Sequence, residues 1–543
     1  MLPVEHVLRR RAMIKRSLLF FLFPSLLAPT VYSGQAEVKV PLLKKALWQR
    51  PLNLDKDFDD FIENEKAAKA TVERALAAVP QEPLVPGFFP LVAGKLVVYR
   101  TYQDVRSLVR EKKKVGKFVC DPGDIFFKST PLDGSLAWVL SHKDLRPTME
   151  DWLNRTFRRQ PKSTSFLFEN SLQGRLTTSH GLIYAVDDLA IPAPQAIFPW
   201  IWQQGQIPAK VKEYVSGNSL QAFELATGKF KWRLGNDPDN WKYKEDEFTN
   251  SHFLGVPLEI GDRLYVLNEK NKKDKEPKGE AELRLVCIDP KKYQSLEPFD
   301  HRPKVVPPIL SLGKVPEDLR ITHNPVRRIS SVELVHHDEV LVCPTNSGRV
   351  YGVDLKKMAI RWMYTYKKDA EKKKPAKDEI PFFDHQYWIE FNRQWRLPGI
   401  FLRADRLIFA APDDGSVHCI RIKDGKLLWK SPRKDGLYVA GVFGDKVVVV
   451  GSKTCWALGV NDGKEKWMIE TGVPSGRGTA LGNIYYLPIR RGITLIDIAK
   501  GKILQTVDAA AGDLPGNLLI HQDMLISQSA THIAAYPLRA GKK

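Results

Sequence analysis

Arginines recur at one register position in this chain. Gly174-Arg175 stands just ahead of an apolar run that begins seven residues after the arginine, at Leu182, and Arg477 of Gly476-Arg477 stands seven before Ile484. Asn517 of Gly516-Asn517 repeats that spacing ahead of Met524, while Arg328 and Arg396 lie twelve and eleven residues ahead of the runs at Val340 and Leu407. Guanidinium groups gathered in this way make charge-assisted, bidentate hydrogen bonds with carboxylates. Arg175, Arg328, Arg396, Arg477 and Asn517 are therefore the candidate ligand-binding residues, suited to a carboxylate-bearing ligand or an acidic peptide. The same residues admit a second reading, in which each arginine pairs with a carboxylate of its own or the next unit and ties units together.

Signs of catalytic chemistry are sparse, and no catalytic or metal-binding residue is nominated. His336-His337 precedes a turn at Asp338, which suits exposure better than metal ligation. Asp187-Asp188 follows an apolar run and resembles a turn entrance more than a general acid–base pair. The five cysteines, at 120, 287, 343, 419 and 455, are scattered. An odd, dispersed set is not a disulfide framework, and these read as small apolar strand residues.

The elements that would position the arginines come from a repeated phrase. An apolar strand, a Gly-Lys turn and a tryptophan occur at Gly228-Lys229-Phe230-Lys231-Trp232, at Gly425-Lys426-Leu427-Leu428-Trp429 and at Gly463-Lys464-Glu465-Lys466-Trp467. Gly425, Gly463 and Gly501 are spaced 38 residues apart. Trp362 occupies the tryptophan place in another unit. A fixed period of this length built from short strands marks a repeat architecture. Asp-Gly at the turn permits positive φ without a Cβ clash, and the large indole on the following outer strand can fill the wedge against the neighbouring sheet. Eight short apolar runs, at 96–99, 182–185, 264–267, 340–343, 407–410, 447–450, 484–487 and 524–527, each read as the second strand of a hairpin. The expected fold is all-β: a single eight-bladed β-propeller of four-stranded antiparallel blades over residues 87–540. The last unit has about three strands, so residues 37–56 are expected to complete it and remove an exposed edge.

The remaining chain differs in kind. Residues 1–36 read as a signal peptide, with Arg9-Arg10-Arg11 and Lys15-Arg16 ahead of an apolar stretch at 17–28. That stretch is short for a membrane span, although an uncleaved anchor is the alternative. General secretion is favoured over twin-arginine export, and no cysteine near the cleavage region supports a lipoprotein. Residues 37–86 form an extension in which 57–79 read as an amphipathic helix stopped by Pro80 and Pro83. The formal charge is +20, much of it in the mixed-sign tracts 270–278 and 367–379, which read as solvated loops. Such a surface suits an acidic partner or polymer, and export argues against nucleic acid.

The Gly-Lys-x-x-Trp phrase resembles the tryptophan-docking motif of pyrroloquinoline-quinone-type propellers, which include quinone-dependent dehydrogenases and BamB-like scaffold proteins. The similarity spans about 88–540 and is best from 397 to 507. Segments such as 170–188 and 474–478 are similar to exported proteins of planctomycete type. A dehydrogenase of this family would carry an adjacent cysteine pair, calcium ligands or a Cys-x-x-Cys-His haem motif, and the sequence has neither the cysteine pair nor the haem motif. The resemblance thus implies a non-catalytic scaffold at the cell envelope that binds an envelope protein or acidic polymer, with no cofactor. The alternative is a small-ligand or quinone-binding protein, such as a degenerate dehydrogenase, holding pyrroloquinoline quinone and calcium.

Overall fold

Strands form where short β-branched and aromatic runs are bounded by turn residues, and the second strand of each unit is buried on both faces. A computed structural model describes residues 38–51, 83–93, 96–101, 127–128, 170–188, 216–226, 230–236, 247–271, 281–293, 307–316, 319–322, 324–367, 395–511, 513–529 and 532–540. The signal sequence, the helix expected at 57–79, most of both lysine-rich tracts, Cys120 and Gly228 lie outside these residues.

Sheet 1 is a two-stranded hairpin, Leu91–Ala93 with Leu96–Val98. Sheet 2 runs Leu176–Ser179, Leu182–Asp187, Ser219–Glu224, Phe230–Gly235. In sheet 3, Ser251–Phe253 and Leu258–Ile260 both pair with Arg263–Asn271, followed by Ala281–Ile288 and Ile309–Val315. Its five strands depart from the expected four because the first strand is interrupted over residues 254–257. Sheet 4 holds Val335–His337, Val340–Pro344, Arg349–Asp354 and Ala359–Thr365, and sheet 5 holds Gly399–Arg403, Arg406–Ala410, Ser416–Arg421 and Leu427–Pro432. Sheet 6 is Gly436–Phe443, Lys446–Gly451, Thr454–Gly459 and Glu465–Glu470, and sheet 7 is Thr479–Leu481, Ile484–Ile489, Gly492–Asp497 and Lys502–Asp508. Sheet 8 contains Asn517–His521, Met524–Gln528 and His532–Ala540. Its outer strand is supplied from the other end of the chain, where Lys39–Pro41 and Trp48–Pro51 pair antiparallel with His532–Ala540.

The sheets follow one another in a closed ring. Apolar clusters join each sheet to the next, from Leu91 and Val98 against Ile183 and Phe223 round to Ile484 and Tyr486 against Leu525 and Tyr536. Val97 and Tyr99 then meet Ile526, Ile533 and Ala535, which closes the circuit. Burying both faces of every sheet explains why the second strands read as continuous apolar runs.

The outer strands carry the repeat's tryptophans. Trp362 donates its indole N–H to the Ile422 carbonyl at 2.7 Å, Trp429 to Val460 at 2.7 Å and Trp467 to Ile498 at 3.0 Å, each acceptor belonging to the next sheet. Each ring lies against the next unit's turn glycine. A Cβ on Gly425, Gly463 or Gly501 would stand 2.6, 2.6 or 2.4 Å from Trp362, Trp429 or Trp467, and all three glycines have positive φ. Only glycine meets both conditions. Trp232 is fully buried and packs between sheets 2 and 3, 5.7 Å from the Tyr184 ring. In sheets 2, 4, 5, 6 and 7 a register shift leaves one residue unpaired at the equivalent point of the outer strand, immediately before the tryptophan where there is one. This bulge increases local twist and turns the indole inward.

Cys343, Cys419 and Cys455 are fully buried in these strands, and burial pushes their thiols up, Cys419 to about 11. A thiol reacts as its thiolate, so the folded protein is expected to react with an aromatic disulfide reagent at no more than Cys120 and Cys287. All five should react in guanidinium. Fast labelling of a third thiol in the native protein would contradict the burial of these strands.

Candidate functional site

The segments that lead into the innermost strands touch one another and form a collar. Asn170 accepts from the Gln173 N–H at 3.2 Å and caps the short helix Ser171–Gly174. Asn324 caps Pro325–Ile329 in the same way, accepting from the Arg327 N–H at 2.9 Å, with proline at the first helical position. The two turns are bonded through Ser171, whose hydroxyl donates to the Ile329 carbonyl and accepts from the Ser331 N–H. At Gly174 a Cβ would lie 1.9 Å from the Gly87 carbonyl oxygen, and at Gly476 it would lie 2.2 Å from the Gly516 carbonyl carbon. Backbone therefore crosses backbone at both Gly-Arg dipeptides.

Asn517 links three of these segments. Its side-chain N–H groups donate to the Pro86 and Phe88 carbonyls at 2.6 and 2.7 Å, and its carbonyl accepts from the Arg477 backbone N–H at 2.7 Å. It is fully buried, so its side chain is engaged in joining segments. Arg328 is similarly committed. Its Nε lies 3.2 Å from both Asp188 oxygens and Nη2 lies 2.5 Å from Oδ1, with the two side chains 3% and 1% exposed. Asp188 also accepts from Asn218, which bonds both polar groups of the Phe253 backbone. These two residues, placed at the rim for a ligand by their sequence register, have their polar groups turned to internal partners.

Arg175 and Arg477 are disposed differently. Arg175 Nη2 is 2.5 Å from Glu333 Oε1, and the guanidinium lies 4.0 Å from the centre of the Phe89 ring. Burial pulls its pKa down to about 10; Glu333 opposes the shift and the positive charge of Arg477 adds to it. The Arg477 guanidinium lies 5.9 Å from the Phe401 ring, and its charge is also felt by the buried Tyr438 and Tyr485. Arg396 is buried, with its backbone N–H donating to the Leu437 carbonyl. Its charge reinforces the effect of burial in lowering Arg433. The arrangement concentrates cationic groups on aromatic faces, with Glu333 as the acidic partner of Arg175. Glu333 also lines a cleft of about 20 Å³ beside Pro344, Asn346 and Phe409, room for about one water.

Three buried arginines escaped sequence reasoning, and one of them, Arg284, bonds Asn268 and Glu247. Arg327 pairs with Glu269, which is fully enclosed and also accepts from the Ile321 N–H at 2.9 Å. Arg100 donates to the Gln173 and Val186 carbonyls, and burial brings it down to about 10 despite Asp187 nearby. For Arg327, a glutamate two residues past the apolar run at 264–267, on the same strand, was the available signal. Nothing local marks Arg100. His337 lies 3.2 Å from Asp338, and among the described residues no group of three His, Cys, Asp or Glu side chains is placed to hold a metal ion.

Residues 388–542 match the family model described as outer membrane protein assembly factor BamB, so this stretch carries a BamB-like repeat. No curated protein matches the chain. Among solved structures, BamB from Moraxella catarrhalis is similar at 13% identity and a TM-score of 0.35, over 60% of this chain and 80% of that one. A europium-containing methanol dehydrogenase is similar at 10% identity and 0.36, over 68% and 81%. The C-terminal WD40 domain of Sif2 is similar at 10% identity and 0.35, over 59% and 76%.

Proposed function

We propose that the protein is a non-catalytic scaffold, an exported eight-bladed propeller that binds a protein partner at the cell envelope through the outer edges of its blades. The observation that carries this reading is a belt of exposed apolar side chains on the edge strands of four consecutive sheets. Ile360 and Met363 in sheet 4, Leu427 and Leu428 in sheet 5, Met468 in sheet 6, and Ile503 and Leu504 in sheet 7 are each 37–52% exposed. The bulge before the tryptophan position sets consecutive residues, such as Leu427-Leu428 and Ile503-Leu504, toward solvent. Edge strands present unpaired backbone groups, and exposed apolar residues on them mark interaction surfaces. The assembly-factor description of the family matched at 388–542 supports a protein-handling role.

The alternative reading would call for the adjacent cysteine pair of a quinone dehydrogenase, which the sequence does not contain.

Photo-crosslinking residues placed at 363, 428 and 468 are expected to trap one partner protein, and the same residue at Asp523, 75% exposed on sheet 8, should not. The triple variant Met363→Glu, Leu428→Glu, Met468→Glu should remain folded, since half-exposed substitutions cost little, and should lose at least tenfold in partner yield. Undiminished capture by the triple variant would refute the edge-strand surface.

A further inference from the structure

The edge-strand belt carries a repeated charge beside its apolar side chains. In sheets 5, 6 and 7 the turn glycine is followed by an exposed lysine, Lys426, Lys464 and Lys502. Their places are equivalent, because the glycine before each donates its N–H to the carbonyl four residues back, at 2.8 Å in all three sheets. The turn aspartate of each unit is held by a different cation: Asp424 by Arg421 at 2.6 Å, Asp462 by Lys466 at 2.9 Å and Asp497 by Lys500 at 4.0 Å. Glu465, next to Lys464, is held by Lys434 at 2.5 Å. Lys426, Lys464 and Lys502 themselves make no ion pair within 4 Å among the described residues. An uncompensated ammonium thus stands at the head of each edge strand. Exposed apolar residues adjoin it, since Leu427-Leu428 and Ile503-Leu504 follow directly and Met468 lies further along the strand of Lys464. Resting on the edge-strand reading above, we propose that the belt takes an extended acidic segment of the partner protein. The segment crosses the edges of sheets 5, 6 and 7, with a carboxylate on each of these lysines and apolar side chains between them.

Three features select this occupant. The charge recurs from sheet to sheet and not along a strand, so a strand paired with one edge would meet a single lysine of the three. The three edge strands are neighbours, since Trp429 packs on Gly463 and Trp467 on Gly501, and their order follows the outside of a closed ring. A flat membrane touches such a convex rim at one place, and a straight helix cannot bend round it, whereas an extended chain follows it. Packed sheets lie about 10 Å apart, a distance that about three extended residues span. A segment with a carboxylate at roughly every third residue therefore matches the lysines in step. Lysine suits this contact because its compact charge on a flexible stem accepts carboxylates from many directions.

The test is fluorescence anisotropy of a labelled Glu-Leu-Ser repeat peptide added to the full chain, with a Gln-Leu-Ser repeat as the uncharged control. The acidic peptide should bind about tenfold more tightly than the control. Raising sodium chloride from about 0.05 to about 0.5 M should remove most of that difference, because exposed charges are screened. An exposed ion pair contributes a factor of about two to three, so the triple variant Lys426→Gln, Lys464→Gln, Lys502→Gln should bind about tenfold more weakly. Its unfolding midpoint should match that of the wild type, since the three side chains are exposed. The triple variant Lys426→Arg, Lys464→Arg, Lys502→Arg keeps the charge and should bind within about twofold of the wild type. No binding of the acidic peptide, equal binding by the glutamine variant, or equal loss in the arginine variant overturns the acidic segment and leaves the apolar belt standing. Equal binding by Leu428→Ser, Met468→Ser, Leu504→Ser overturns the edge-strand reading, and this proposal with it. Binding to phosphatidylglycerol vesicles without binding to the peptide also overturns it and makes the belt a lipid-facing surface.

Discussion

Arg328→Met is expected to destabilise the protein by about 3–5 kcal/mol, because it leaves the Asp188 carboxylate charged and buried without its partner. Asp188 is 1% exposed and is reached from a segment 140 residues away. With Arg328 removed, Asn218 still donates to it, a neutral donor that brings no countercharge. Guanidinium denaturation followed by tryptophan fluorescence measures the loss. Adding Asp188→Asn should recover more than half of it, since a neutral amide can still accept from Asn218 and no longer needs a countercharge. A single-variant loss below about 1 kcal/mol would mean that the pair is solvated and does not tie sheets 2 and 4 together.

The second large effect lies at the seam between sheets 5 and 6. Trp429→Ala is expected to cost about 3–5 kcal/mol, the usual penalty for emptying a buried aromatic site. The indole is 8% exposed, packs on Gly463 and satisfies the Val460 carbonyl, so truncation removes a wedge and a hydrogen bond together. Gly463→Ala should also destabilise, through its φ of +63° and a Cβ placed 2.6 Å from the indole. In the Trp429→Ala background the steric part disappears while the backbone part remains. The double variant should therefore be more stable than the sum of the single losses predicts, a coupling of about 1 kcal/mol or more. Strict additivity would show that the ring and the glycine do not meet.

The two effects differ in how far the sequence foretells them. The Trp429–Gly463 contact is written into the chain as a phrase at a 38-residue period, and both partners are named by the repeat itself. Strand alternation, the Asp-Gly turns and the tryptophan that follows them are local chemistry, acting over a few residues. For the arginines, register placed Arg175, Arg328, Arg396, Arg477 and Asn517 ahead of their strands, and the collar contains all five. Register could not distinguish Arg328, committed to Asp188, from Arg477, whose guanidinium lies 5.9 Å from the Phe401 ring. Nor did it reveal Glu269 beneath Arg327 or the carbonyls that hold Arg100.

The amino-acid sequence by itself determined the all-β repeat, the placement of the second strands and the positions where only glycine or tryptophan serves. These depend on two-residue periodicity, turn dihedrals and side-chain volume, which neighbouring residues establish. Tertiary structure alone decided which guanidinium is neutralised, which side chains reach the outer belt, and how residues 39–41 and 48–51 complete the sheet at the far end of the chain. A long charged side chain has no intrinsic partner. Its counterion is whichever carboxylate ring closure brings within a few ångströms, and closure depends on the summed twist and packing of all the sheets.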